Sequence, residues 1–208
     1  MILIGQYDSP FTRRIGIAMT LYGMAFEHRP WSTFGDADRI RPYNPLSRVP
    51  ALVLDDGEVL IDSHMIIDYL GSLVPPGQAM FPRSEPERRR ALKLAALGTG
   101  LADKAVGLFY EKQLHKEVSQ AWVARCRTQI GAVMDALESD RAARKSACWF
   151  GDAISHADIA VACALRFLAD AHPGLMLAEG HPALVAHARK LEALPVFQAI
   201  SQPFIQPK

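Results

Sequence analysis

Residues 44–63, Asn44-Pro45-Leu46-Ser47-Arg48-Val49-Pro50-Ala51-Leu52-Val53-Leu54-Asp55-Asp56-Gly57-Glu58-Val59-Leu60-Ile61-Asp62-Ser63, combine a Val-Pro step, a hairpin signal and an acidic-Ser pair. Proline cannot donate a ladder hydrogen bond, so Pro50 at the head of an apolar run belongs where a chain enters a sheet or bends, and such bends are where cis X-Pro bonds occur. A cis bond there would turn the Val49 N–H and carbonyl outward, free to pair with an extended ligand. The runs Ala51 to Leu54 and Val59 to Ile61 are joined by Asp55-Asp56-Gly57, and Asp-Gly favours an antiparallel hairpin. Asp62-Ser63 then opens the amphipathic run Met65 to Val74, so Ser63 is expected to cap that helix, whose first N–H groups can hold a carboxylate. The segment outlines a small-molecule site.

Working outward, the apolar pattern predicts a strand over Met1 to Gly5, a helix over Phe11 to Tyr22 closed by Gly23, and a strand near Phe26 to Trp31. With the hairpin and the helix Ser63 to Val74, this strand-helix-strand-hairpin-helix order is thioredoxin-like. Residues 75–86, with four prolines and no period, read as a linker. Beyond it the pattern is helical, about five helices with no convincing strand. The expected organisation is therefore an α/β thioredoxin-like domain over 1–74, a linker over 75–86 and an all-α domain over 87–208.

Composition narrows the function classes. The chain has 208 residues, half of them apolar, and a formal charge of +1, so it lacks the basic excess of a nucleic-acid footprint. The apolar start meets Gln6 and Asp8 too soon for a signal peptide, and the Ala/Leu-rich stretch from Ala91 is broken by Asp103 and Lys104 before it could span a bilayer. A soluble cytoplasmic protein is expected. Cys126, Cys148 and Cys163 are odd in number and widely spaced, which points to buried thiols in a reducing compartment. The histidines offer no HExxH, and His181 and His187 fall off a common helical face, so no metal site is expected.

Phe150-Gly151-Asp152-Ala153-Ile154-Ser155-His156-Ala157-Asp158 reads as a helix start in which Ser155 caps and Asp158 returns a bond to the cap's own N–H. The reading is structural, and replacing either residue by Ala is expected to cost about 1 to 2 kcal/mol.

The Val-Pro and Asp-Ser pairs, the Ser-x-x-Asp box about a hundred residues later, and Ser9-Pro10-Phe11-Thr12-Arg13-Arg14 together resemble the cytosolic glutathione S-transferases over nearly the whole chain. The Ser9 segment is similar to that of the tau, omega and zeta classes, in which Ser or Cys stands where Ser9 stands. The resemblance implies glutathione as cosubstrate, a glutathione site on the amino-terminal domain, a hydrophobic electrophile bound between domains, a homodimer and a role in detoxification. It does not fix the acceptor.

On that resemblance Ser9 is the catalytic residue, its hydroxyl donating to the glutathione sulfur. A free thiol titrates near 8.5, and lowering that by about two units takes roughly 2.7 kcal/mol. One hydrogen bond to a charged group supplies about 1.5 to 3 kcal/mol and a helix terminus roughly 0.3 to 1 more, so no separate base is required. Read without the resemblance, Ser9 before Pro10 is an N-cap. The resemblance further implies that Val49 pairs its backbone with the tripeptide beside a cis Pro50, that Ser63 holds the γ-glutamyl carboxylate with Asp62 facing the amine, and that Arg48 meets the glycyl carboxylate. Arg14 is expected to make structural ion pairs, and Tyr7 stands in reserve for Ser9. Phe11, Phe109 and Tyr110 are candidates for the hydrophobic substrate site, although aromatics at helical spacing also serve as core. Glutathione-dependent isomerisation and a non-catalytic ligand- or partner-binding role are the alternatives to conjugation.

Overall fold

The computed structural model describes residues 1–175 and 179–206; residues 176–178, 207 and 208 of the expected 87–208 domain lie outside the described residues. The chain divides into two compact units, Met1–Met80 with Pro195–Lys208, and Phe81–Leu194.

The first unit is built on a four-stranded sheet. Strands β1 (Ile2–Ile4), β2 (Glu27–Arg29), β3 (Ala51–Val53) and β4 (Val59–Leu60) lie in the order β2-β1-β3-β4. β1 runs parallel to β2 and antiparallel to β3, with Leu3 opposite Leu52 and Ile4 opposite Ala51. All four of these residues are fully buried. Successive residues on a strand face opposite sides, so both faces of the sheet are covered, which explains why these strands read as unbroken apolar runs. One face packs on Ile40 from the short helix α2 (Ala37–Ile40), with Trp31, Tyr43, Val49 and Ile61 at its margin. Helices α1 (Pro10–Leu21) and α3 (Ser63–Ser72) pack on each other and bury Ile15, Ile17, Met19, Ile66, Ile67 and Leu70. The expected hairpin is present: Leu54 N–H donates to the Glu58 carbonyl at 2.8 Å, and Gly57 takes the left-handed φ of 90° that the turn demands.

The second unit is helical: α4 (Glu87–Leu114), α5 (Gln120–Ala142), α6 (His156–Ala171) and α7 (Pro182–Glu192). α6 is buried on nearly every side. A Cβ on Gly98 of α4 would stand 2.9 Å from the Val161 backbone nitrogen and 3.0 Å from the Ala160 carbonyl carbon, so these two helices cross at backbone contact. That crossing accounts for the small residues of α4. Ala95 and Thr99 are buried within this unit, whereas Leu92 and Ala96 are exposed. Ser155 and Asp158 form the reciprocal capping box expected of them.

The carboxy-terminal end departs from the expected 87–208 domain. Pro195–Ala199 is a further helix, α8, and it belongs with the first unit. The cause is Arg13 of α1, only 3 % exposed, whose Nε donates to the Ile200 carbonyl at 2.8 Å and whose Nη2 donates to the Phe197 carbonyl at 2.9 Å. A buried guanidinium needs several acceptors, and the carbonyls at the end of α8 supply them. Among the described residues no helix is long and apolar enough to cross a membrane. Cys126, Cys148 and Cys163 are buried and form no disulfide among the described residues, and burial pushes the Cys148 thiol up to about 11.

Candidate functional site

A cleft opens on the first unit, lined by Phe11, Asn44, Leu46, Arg48, Val49, Pro50, Ile61, Asp62 and Ser63. Chain order alone separates these residues by up to 52 positions; the β1–β3 pairing and the seating of α1 against α3 bring them together. Gly5, which follows β1 at φ 129°, permits the close approach of Val49: a Cβ there would sit 2.7 Å from Val49 Cβ and 2.5 Å from Thr12 Oγ1.

Val49-Pro50 is cis. Neither the Val49 N–H nor its carbonyl is hydrogen-bonded within the described residues, so both remain available at the cleft wall. The loop before them is braced by Asn44, only 3 % exposed, whose side-chain amide donates to the Arg48 carbonyl at 2.8 Å and accepts the Leu46 N–H at 3.0 Å. Asn44 opens the quoted stretch, yet sequence reading assigned it no role. An Asn-Pro dipeptide is a turn signal, but what the amide bonds to is decided by how the loop folds back.

At α3 the capping assignment changes. Asp62, not Ser63, is the N-cap, its carboxylate accepting the His64 N–H at 2.9 Å. Ser63 is the first helical residue, 2 % exposed, and its hydroxyl accepts from Arg14 Nη1 at 3.3 Å. Arg14 is itself buried, a cation placed behind the cleft wall. Partial loss of hydration first, and the Arg14 charge second, push the His64 imidazole below its ordinary value. An anionic group at Ser63 would meet the N-terminus of α3 and this cation together, with Asp62 supplying the opposite sign beside it. Arg48 lies exposed at the rim.

Ser9 is the N-cap of α1, its Oγ accepting the Thr12 N–H at 3.4 Å, and Pro10 is the first helical residue. Ser9 is partly exposed and does not line the cleft, which its near neighbour Phe11 does. Accepting the cap bond uses an oxygen lone pair and leaves the hydroxyl proton free to donate, so capping and thiolate stabilisation are compatible. Tyr7 stacks on His28 at 3.8 Å with an interplanar angle of 8°, and burial pushes its phenol up to about 12. Phe109 and Tyr110 belong to the helical unit, where Phe109 is 6 % exposed and packs edge-on against Phe167. Phe109 is thus a core residue of that unit, and of the three aromatic candidates Phe11 is the one at the cleft.

The comparisons with known proteins agree with this geometry. The family model described as glutathione S-transferase, N-terminal domain, matches residues 3–78, and that described as glutathione S-transferase, C-terminal domain, matches residues 120–190. The uncharacterized GST-like protein YibF of Escherichia coli is 31 % identical over 172 residues, covering 81 % of this chain and 82 % of the relative. Maleylacetoacetate isomerase of Pseudomonas aeruginosa is 38 % identical over 103 residues, 47 % of this chain and 48 % of that one. Among solved structures, a glutathione S-transferase from Methylobacterium radiotolerans in complex with glutathione sulfonate matches with a TM-score of 0.89 at 28 % identity, over 99 % of this chain and 95 % of that one. With family models over both units and a relative matched along four-fifths of its length, the chain belongs to the glutathione S-transferase family.

Proposed function

We propose that the protein is a glutathione transferase in which the cleft holds the tripeptide and Ser9 stabilises its thiolate for attack on a hydrophobic electrophile. The observation that carries this reading is the cleft's chemistry: unpaired strand-like backbone groups at Val49, a helix N-terminus backed by Arg14 at Ser63, and a carboxylate at Asp62. A γ-glutamyl group is a zwitterion, and that pair of opposite charges suits it. The Val49 backbone pairs with the cysteinyl residue as an added strand would. Arg48 takes the glycyl carboxylate, and Phe11 contributes an apolar wall for the acceptor. The sulfur then lies toward the start of α1, where the Ser9 O–H and the helix terminus favour the thiolate. The partners are glutathione and a small hydrophobic electrophile, and the active form is a homodimer that uses the exposed Leu92 and Ala96 of α4.

The similarity to maleylacetoacetate isomerase over half the chain favours a second reading, in which the thiolate adds to a cis double bond and leaves again. Calorimetric titration with glutathione, followed by turnover of an aryl halide and of maleylacetoacetate, separates the two. Ser9→Ala should raise the apparent thiol pKa of bound glutathione and slow turnover by about ten- to a hundredfold, the kinetic equivalent of one charged hydrogen bond. An unmoved pH-rate profile would reject Ser9 as the catalytic residue. Light scattering showing a monomer would reject the dimer.

A further inference from the structure

The turn that presents Ser9 is held from one side by the carboxy-terminal segment. Four hydrogen bonds hold it. The Tyr7 N–H donates to the Gln202 side-chain oxygen at 2.8 Å, the Ile205 N–H donates to the Asp8 carboxylate at 3.4 Å, and the two Arg13 bonds anchor the chain at Phe197 and Ile200. Gly16 of α1 lets this layer pack tightly, since a Cβ there would sit 2.8 Å from the Ile200 side chain and 2.9 Å from the Tyr7 ring. The turn is also braced by His28, which stacks on Tyr7 and bonds the Gly5 carbonyl at 2.8 Å. Within the turn the Ser9 N–H donates to the Gln6 carbonyl at 3.2 Å.

We infer that Gln202 is a positioning residue for the thiolate site: by holding the Tyr7 N–H it fixes the Gln6–Ser9 turn and so the direction in which the Ser9 hydroxyl donates. The inference rests on the reading of Ser9 given above. Its physical basis is that a hydrogen bond to a thiolate is directional, and a turn released at Tyr7 lets the hydroxyl swing while leaving Val49, Asp62 and Ser63 in place. Arg13 sets the anchor point of the segment, and the Gln202 side chain bonds the backbone of the turn directly. Gln202 acts on chemistry through Ser9 and touches no substrate atom.

The test compares Gln202→Met, which keeps side-chain length and loses the acceptor, with Gln202→Glu, which keeps an acceptor oxygen, alongside Ser9→Ala and the Ser9→Ala/Gln202→Met double variant. Each is assayed for the pH dependence of aryl halide conjugation, the ultraviolet thiolate absorbance of bound glutathione, the KM for glutathione and the thermal midpoint. Gln202→Met should move the profile to higher pH and lower kcat about five- to twentyfold with KM within about twofold, as expected for a displaced rather than deleted group. Gln202→Glu should restore the profile, and the double variant should be no slower than Ser9→Ala. A Gln202→Met profile that coincides with the parent while that of Ser9→Ala is displaced would overturn the inference and leave Gln202 a mere tether, visible in the midpoint alone. A profile unmoved in Ser9→Ala would overturn the reading of Ser9, and this inference with it.

Discussion

Asp158 offers the most direct test of how much a short helix-start motif gains from its surroundings. Fully buried, it accepts the Ser155 N–H at 2.8 Å and the Trp149 N–H at 3.0 Å, and His187 Nε2 stands 3.0 Å from the same carboxylate, at contact distance but without the alignment of a hydrogen bond. Loss of a capping hydroxyl costs about 1 kcal/mol, so Ser155→Ala, which frees one N–H accepted at 3.4 Å and removes one of the donors to the Asp158 carboxylate, should stay near that figure. Asp158→Ala leaves two buried backbone N–H groups and the Ser155 hydroxyl without their acceptor, and at about 1–3 kcal/mol for each unsatisfied donor the loss should reach about 3–5 kcal/mol. Urea denaturation followed by circular dichroism at neutral pH measures both variants. Burial disfavours the charged carboxylate, but the contacts from His187, Ser155 and Trp149 outweigh it and hold Asp158 below the usual carboxylate range. A folded value below the unfolded one gives stability that is complete above about pH 4 and is lost as pH falls through the folded value. Asp158→Asn should lack that acid component. Equal losses near 1 kcal/mol for Ser155→Ala and Asp158→Ala would refute the reasoning, because the carboxylate would then contribute no more than the other half of its box.

Gly98→Ala should destabilise the helical unit: the roughly 1 kcal/mol gain in helix propensity is outweighed by about 1–3 kcal/mol of overpacking against the α6 backbone, and a thermal midpoint at or above the parent's would contradict the close crossing. Burial pushes His172 below its ordinary value, although its ring bonds the Ala105 carbonyl at 2.9 Å. Its contribution is therefore complete above about pH 6.5 and falls away as the solution is acidified through the folded value, a slope that His172→Gln should flatten in denaturation at neutral and mildly acid pH. Arg48→Ala should weaken glutathione binding about tenfold or more by calorimetry without moving the unfolding midpoint, since the side chain is exposed; unchanged affinity would hand the glycyl carboxylate to another group. Tyr7→Phe should leave the pH-rate profile in place, because the phenol titrates at about 12, and a displaced profile would return Tyr7 to the reacting centre.

What the sequence by itself determined is local in origin. Proline placement, the Asp-Gly turn, the Ser-x-x-Asp box and the change of apolar period are written in neighbouring residues, and each gave an element of the right type within a few residues of its observed ends: the helix expected over Phe11 to Tyr22 spans Pro10–Leu21, and the strands at 51 and 59 pair antiparallel. The short helix Ala37–Ile40 escaped because four residues carry too little period to register. Tertiary structure decided which partner each polar group found. Whether Asp62 or Ser63 caps α3 depended on Arg14, forty-nine residues away, claiming the serine hydroxyl. Where the last residues of the chain belong depended on Arg13 needing acceptors that only the end of α8 supplies. The strength of the helix start at Ser155 depended on Trp149 and His187 converging on one carboxylate. Backbone preference is set by a residue and its immediate neighbours, and so can be read along the chain; the satisfaction of a buried polar group is a condition on whatever the fold brings within about 3 Å of it, and that is fixed only when the chain has closed on itself.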